Sequence, residues 1–188
     1  MSEVITYPNL KTEIEESGRY RLLLSEEQIQ NRIKELADEI STDYANRCPV
    51  LVGVLNGSFI FLADLIRQLS IDCEVDFIKI SSYEDALKSS GKVNLMKEID
   101  CDLEGKDVIL AEDIVDSGLS VQFLNKKILA MNPASLSFIT LLVKWDNAKP
   151  NRKIDYVGFS IPPEFVIGYG LDYKQKLRNL KNVYIMQE

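Results

Sequence analysis

Two apolar periods alternate along the chain, and their alternation predicts the architecture. From Ser25 to Tyr44, the residues Ile29, Ile33, Leu36, Ile40 and Tyr44 fall on one helical face, and Ser25 with Gln28 forms a capping box at its start. Cys48-Pro-Val-Leu-Val-Gly-Val-Leu55 then reads as a short strand, apolar on both faces as in the interior of a parallel sheet. Asn56-Gly57-Ser58 turns it into a second helix with Phe59, Leu62, Ile66 and Leu69 expected inward. Cys73 to Ser81 is the next strand, with Val75, Phe77 and the Ile78/Ile80 pair on alternate faces.

The polar stretch from Tyr83 to Asn94 predicts a mobile loop, and Val93 to Ile99 a flanking strand. Lys106 to Ala111 predicts a strand and Leu119 to Met131 a helix patterned by Val121, Leu124, Ile128 and Leu129. Ala134 to Val143 is the following strand, and further strand-like pieces lie around Tyr156, around Val166 and at Val183-Tyr-Ile-Met. Strands alternating with helices predict an α/β fold, a parallel-sheet core flanked by helices. No repeat or linker divides the 188 residues, so a single domain over 1–188 is expected.

Composition narrows the chemistry. The net charge of −7 lacks the electrostatic footprint of a protein that coats nucleic acid. The longest apolar region, Val50 to Leu69, is broken by Asn56, Gly57, Asp64 and Arg67, so no membrane span is expected. The N-terminal stretch carries no signal-peptide core, and Cys48, Cys73 and Cys101 are scattered, which points to a reducing cytoplasm. Histidine is absent, so acid–base chemistry falls to carboxylates, lysine or tyrosine.

In parallel sheets, ligands bind beyond the carboxyl ends of the strands. Here those ends deliver Asn56-Gly57-Ser58, Ser81-Ser82-Tyr83, Glu112-Asp113 and Lys144 to one rim. The richest junction is Val108-Ile-Leu-Ala-Glu112-Asp113-Ile-Val-Asp116-Ser117-Gly118-Leu-Ser120, where small residues opening a helix can cradle a phosphate on backbone N–H groups. Glu112 and Asp113 are either solvated acids at a strand end or a pair accepting bonds from a sugar diol. Asp116 can serve as a helix N-cap, as a catalyst, or as both. Lys144 reads equally as a snorkelling surface lysine. Phe165, after Pro162-Pro163, is a core residue or a stacking platform, and Asp172 and Arg178 would by default form a solvated helical face.

These residues, taken together, resemble the hypoxanthine–guanine phosphoribosyltransferases of the type I phosphoribosyltransferase fold. Glu112 to Ser120 is similar to the superfamily signature for phosphoribosyl pyrophosphate (PRPP). Leu51-Val-Gly-Val-Leu-Asn-Gly-Ser-Phe-Ile-Phe-Leu-Ala-Asp-Leu65, Leu141-Leu-Val-Lys144 and the stretch from Asp155 to Tyr173 resemble the purine branch. The likeness runs from about residue 20 to the end. It implies a core over about 45–150 and a small hood from about 1–24 plus 151–188.

The resemblance implies that a 6-oxopurine displaces pyrophosphate from PRPP, with Mg²⁺ as cofactor. Glu112 and Asp113 would contact the ribose diol and its magnesium environment. Asp116, Ser117, Gly118, Leu119 and Ser120 would bind the 5′-phosphate, and Asp116 would exchange a proton with purine N7. Lys144 would donate to the 6-oxo group, Phe165 would stack on the base, and Val166 and Asp172 would read its edge. Leu55, Asn56 and Gly57, joined by a cis peptide at Leu55–Asn56, would form the pyrophosphate loop with Arg178. Asp172 would hold a second Mg²⁺, and Ser82 and Tyr83 would open a loop that closes over the site. A homodimer or homotetramer is implied.

One position departs from the family pattern. Residue 56 is often Lys or Arg in relatives and is Asn here, which predicts weakened pyrophosphate binding with the chemistry intact. Two other classes compete. An RNA-binding regulator on the same fold is disfavoured by the acidic charge. A phosphoacceptor signalling domain would place its acid pair after the first strand.

Overall fold

The computed structural model describes residue 14 and residues 18–82, 93–145 and 153–187. A six-stranded sheet runs in the order β4-β3-β2-β5-β6-β7, with β2 (Val50–Leu55), β3 (Glu74–Ser82), β4 (Val93–Lys97), β5 (Asp107–Val115), β6 (Ser135–Val143) and β7 (Tyr156–Ser160). All its pairings are parallel except β3 with β4. A separate three-stranded sheet joins β1 (Tyr20–Leu24), β9 (Val183–Met186) and β8 (Val166–Ile167) in antiparallel pairs.

Helices α1 (Glu26–Asp43) and α2 (Phe59–Gln68) cover one face of the large sheet, and α3 (Leu119–Leu129) covers the other. Ser25 accepts the Gln28 N–H while the Gln28 side chain accepts the Ser25 N–H, closing the capping box that starts α1. Ile29, Ile33, Leu36 and Ile40 then sink into the layer below. β2 lies between β3 and β5, so its side chains are buried on both faces and an unbroken apolar run is what it needs.

Two faces differ from the sequence pattern. In α2, Leu62 is buried and Ile66 and Leu69 pack against the core as expected, but Phe61 and Leu65 complete the inward face while Phe59 is 42% exposed. In α3, Val121, Leu124 and Ile128 are buried and Leu129 faces out.

Asp76 braces the β3–β4 edge. Its carboxylate accepts N–H bonds from Phe77, Asp100 and Cys101 at 2.6, 2.7 and 2.8 Å. Burial opposes its ionisation, but those donors win and hold it down at about 2. The segment 83–92, which carries most of the expected mobile loop and Tyr83, lies outside the described residues; Ser82 closes β3.

Candidate active site

The strand carrying the acid-rich motif does not end where its sequence suggests. β5 continues through Glu112 and Asp113 to Val115, because β6 goes on supplying ladder partners at Leu142 and Val143. An extended strand sends consecutive side chains to opposite faces, so the two acids diverge. Glu112 is buried on the α3 face, where it bonds to Ser120 and leaves Oε1 without a partner. Asp113 turns toward Gly57 on the other face, and a Cβ at Gly57 would collide with its carboxylate. Any side chain at position 57 would therefore have to displace the Asp113 carboxylate.

Burial and the charge of Asp113 push Glu112 up to about 8, against the Ser120 hydrogen bond. Burial also raises Asp113, to about 6, with the charge of Asp172 adding and Arg178 opposing. At neutral pH the motif thus holds one protonated and one mostly ionised carboxyl.

Beyond β5, Gly118 takes a left-handed conformation (φ 80°) and is itself the N-cap of α3, with no side-chain cap bond. Asp116 is therefore not the cap that its position allowed. The Leu119 N–H meets the Ser117 hydroxyl at 3.4 Å, and a helix start of this kind is a ready anion site. Asp116 pairs instead with Lys144, at 2.7 Å. Lys144 follows β6 directly, is only 6% exposed, and has its N–H bound to the Val115 carbonyl at 3.0 Å. It is no snorkelling surface lysine.

A cleft of about 430 Å³ opens beside this pair, lined by Asp113, Asp116, Lys144, Phe165, Val166 and Asp172. Phe165 is 49% exposed and meets Tyr173 edge-on at 6.2 Å. Ile114 and Leu171 also line the cleft and were not singled out from the sequence. The only available signal was an apolar residue embedded among polar motif positions.

The stretch after Gly170 is not the helical face expected by default. Isolated bridges pair Gly168 with Leu171 and Tyr173 with Lys176, and Lys174, Gln175 and Leu177 all have positive φ. These turns bring Arg178 back onto Asp172 at 2.7 Å and onto the Gly170 carbonyl at 2.8 Å. Gly170 in turn abuts Gly57, whose carbonyl oxygen leaves no space for a Cβ. Gly57 belongs to the loop that opens with a cis Leu55–Asn56 peptide. The structure therefore puts Gly57, Asp113, Gly170, Asp172 and Arg178 in a chain of contacts, and Asp113 and Asp172 share the cleft with Lys144, Phe165 and Val166.

No group of three or more acidic or sulfur side chains among the described residues can hold a metal by itself. Asp113 and Asp172 still fit Mg²⁺, which takes one or two carboxylates and completes its shell with substrate phosphates and water. Each charge now sits unfavourably near the other, and a cation would relieve that.

The uncapped start of α3, the Asn56–Gly57 loop and the carboxylates Asp113 and Asp172 suit a phosphorylated sugar bound to an α/β fold. Residues 23–174 match the family model described as the phosphoribosyl transferase domain, and the chain belongs to that family as a phosphoribosyltransferase. It is 40% identical over 167 residues to a hypoxanthine-guanine phosphoribosyltransferase of Bacillus subtilis, covering 89% of this chain and 93% of that one. A relative of the same name from Aquifex aeolicus is 42% identical over 171 residues, covering 90% and 96%. The crystal structure of a hypoxanthine-guanine phosphoribosyltransferase from Bacillus anthracis superposes with a TM-score of 0.84 at 45% identity, covering 88% of this chain and 98% of that one.

Proposed function

We propose that this phosphoribosyltransferase works in purine salvage, moving the 5-phosphoribosyl group of PRPP to N9 of hypoxanthine or guanine. Xanthine is a third candidate base. The observation that carries this reading is the buried Lys144 ion-paired to Asp116 beside the open ring of Phe165. A planar base lying on Phe165, with Ile114 and Leu171 also lining the cleft, meets a cationic donor and a carboxylate acceptor that line the same cleft. Lys144 suits the 6-oxo group and opposes the 6-amino group of adenine, since two donors would face each other. Asp116 suits the N7 proton, which it takes as N9 bonds to the anomeric carbon and the bond to pyrophosphate breaks. Val166 and Asp172 border the purine edge.

Asp116, Ser117, Gly118, Leu119 and Ser120 hold the 5′-phosphate through the amides that open α3. The ribose diol lies against Asp113, with Glu112 buried behind it beneath α3. The ionised Asp113 carboxylate stabilises positive charge developing on the ribosyl ring. Leu55, Asn56, Gly57 and Arg178 surround the pyrophosphate. Asp113 and Asp172 are the residues that would hold Mg²⁺, with Glu112 buried behind them, and the ion neutralises pyrophosphate charge when bound.

In this reading the core over about 45–150 supplies the 5′-phosphate and ribose contacts with Asp116 and Lys144, and the hood of 1–24 plus 151–188 adds Phe165, Val166, Asp172 and Arg178 from its described part. No helix among the described residues is long and apolar enough to cross a membrane, and the free cysteines support a cytoplasmic setting. A homodimer or homotetramer belongs to this reading. Calorimetric binding of IMP, GMP and AMP tests the purine assignment. IMP and GMP are expected to bind at least about tenfold more tightly than AMP, and equal affinities would refute the roles of Lys144 and Asp116.

A further inference from the structure

Tyr169 sits at the centre of the hood turn with its backbone left-handed (φ 50°), between Gly168 and Gly170 at 92° and 96°. A tyrosine rarely adopts that conformation without something holding it. Its side chain is 3% exposed, and its hydroxyl donates to Asp64 Oδ2 at 2.5 Å. Gln30 Nε2 donates to the same oxygen at 2.7 Å, and Arg67 pairs with the other at 3.4 Å. Burial and the bond to Asp64 push the Tyr169 phenol far above its ordinary range, so it stays a donor.

Asp64 lies on α2, about two helical turns beyond Gly57. The helix that continues the Leu55–Gly57 loop therefore also grips the hood. The residue after Tyr169 is Gly170, whose backbone rests on Gly57 and whose carbonyl takes the Arg178 guanidinium. Phe165 and Val166 are held differently. Val166 pairs with Ile185, and the Phe165 carbonyl accepts the Met186 N–H at 2.9 Å.

We propose that Tyr169 is a positioning residue for pyrophosphate: through Asp64 it docks the Gly170–Arg178 turn onto the Leu55–Gly57 loop, while Phe165 and Val166 keep their own anchor on β9. This rests on reading that loop as the pyrophosphate site. The hydrogen bond is charge-assisted and buried, so its loss is felt where the two segments meet.

The test is Tyr169→Phe, which keeps the ring in the core, assayed in both directions. The expected result is a rise of about tenfold in KM for pyrophosphate and for PRPP, with KM for hypoxanthine within about twofold. Asp64→Asn, which keeps an acceptor but not the charge, should give a smaller rise of the same kind, and adding it to Tyr169→Phe should do little more. Equal rises in every KM, or a lowered melting temperature with pyrophosphate KM unchanged, would overturn the proposal. Asn56→Lys run alongside separates two kinds of failure. If it lowers pyrophosphate KM while Tyr169→Phe changes nothing, the positioning role is wrong and the loop assignment stands. If neither variant moves pyrophosphate KM, the loop assignment itself is wrong.

Discussion

Glu112→Gln isolates the effect of keeping a titratable carboxyl beneath α3. In the folded chain, burial and the Asp113 charge raise Glu112 from 4.5 to about 8, while Ser120 opposes the shift. Between those values the folded chain retains a proton that the unfolded chain has released. The stability from this group is therefore complete below about 4.5 and is lost as pH rises through about 8. Each unit inside the window is worth at most about 1.4 kcal/mol, so moving from pH 5.5 to 7.5 should cost the wild type roughly 2–3 kcal/mol through this residue. Glutamine has nearly the same volume, accepts the Ser120 bond and does not titrate.

The assay is urea unfolding of both proteins at pH 5.5 and 7.5, at one ionic strength, without Mg²⁺ or PRPP. Asp113 is present in both, so the part of its shift that comes from burial cancels in the comparison. The wild type should lose roughly 2–3 kcal/mol more than the variant over that interval, with m unchanged. Parallel pH profiles would refute the reasoning, because they would mean that Glu112 is already ionised in the folded chain.

Other perturbations address separate parts of the molecule. Asp116→Asn should cut kcat by about 10²–10⁴ while PRPP still binds in equilibrium dialysis; full activity would remove Asp116 from proton transfer. Lys144→Gln should raise KM for hypoxanthine by at least about tenfold and leave KM for PRPP within about twofold, as steady-state kinetics would show. Asp76→Ala strips the acceptor from three backbone N–H groups and should destabilise the fold by about 3 kcal/mol in urea. Because Asp76 titrates at about 2 rather than 3.8, that difference should hold from neutral pH down to about pH 4 and shrink below it.

What was legible in the chain was local. The Ser25–Gln28 capping box, the doubly buried β2 and the Gly118 turn each follow from residues within a few positions of one another. Long-range pairing decided the rest. β1 exists because β9 offers it an edge, and nothing within Tyr20–Leu24 alone demands a strand. The acids of β5 sit inside a strand because β6 extends opposite them. The burial of Lys144 depends on Asp116, twenty-eight positions earlier, as its partner. The turns around Asp172 carry positive φ at ordinary residues, which a propensity reading has no means to anticipate. The Tyr169–Asp64 bond spans 105 positions and left no local trace.

The most direct measurement of the central claim is product analysis with Mg²⁺, PRPP and each of hypoxanthine, guanine, xanthine and adenine in separate reactions. The expected result is IMP from hypoxanthine or GMP from guanine, with one pyrophosphate released per nucleotide and no AMP from adenine. AMP formed as readily as IMP and GMP, or no nucleotide from any of the four bases, would contradict the account.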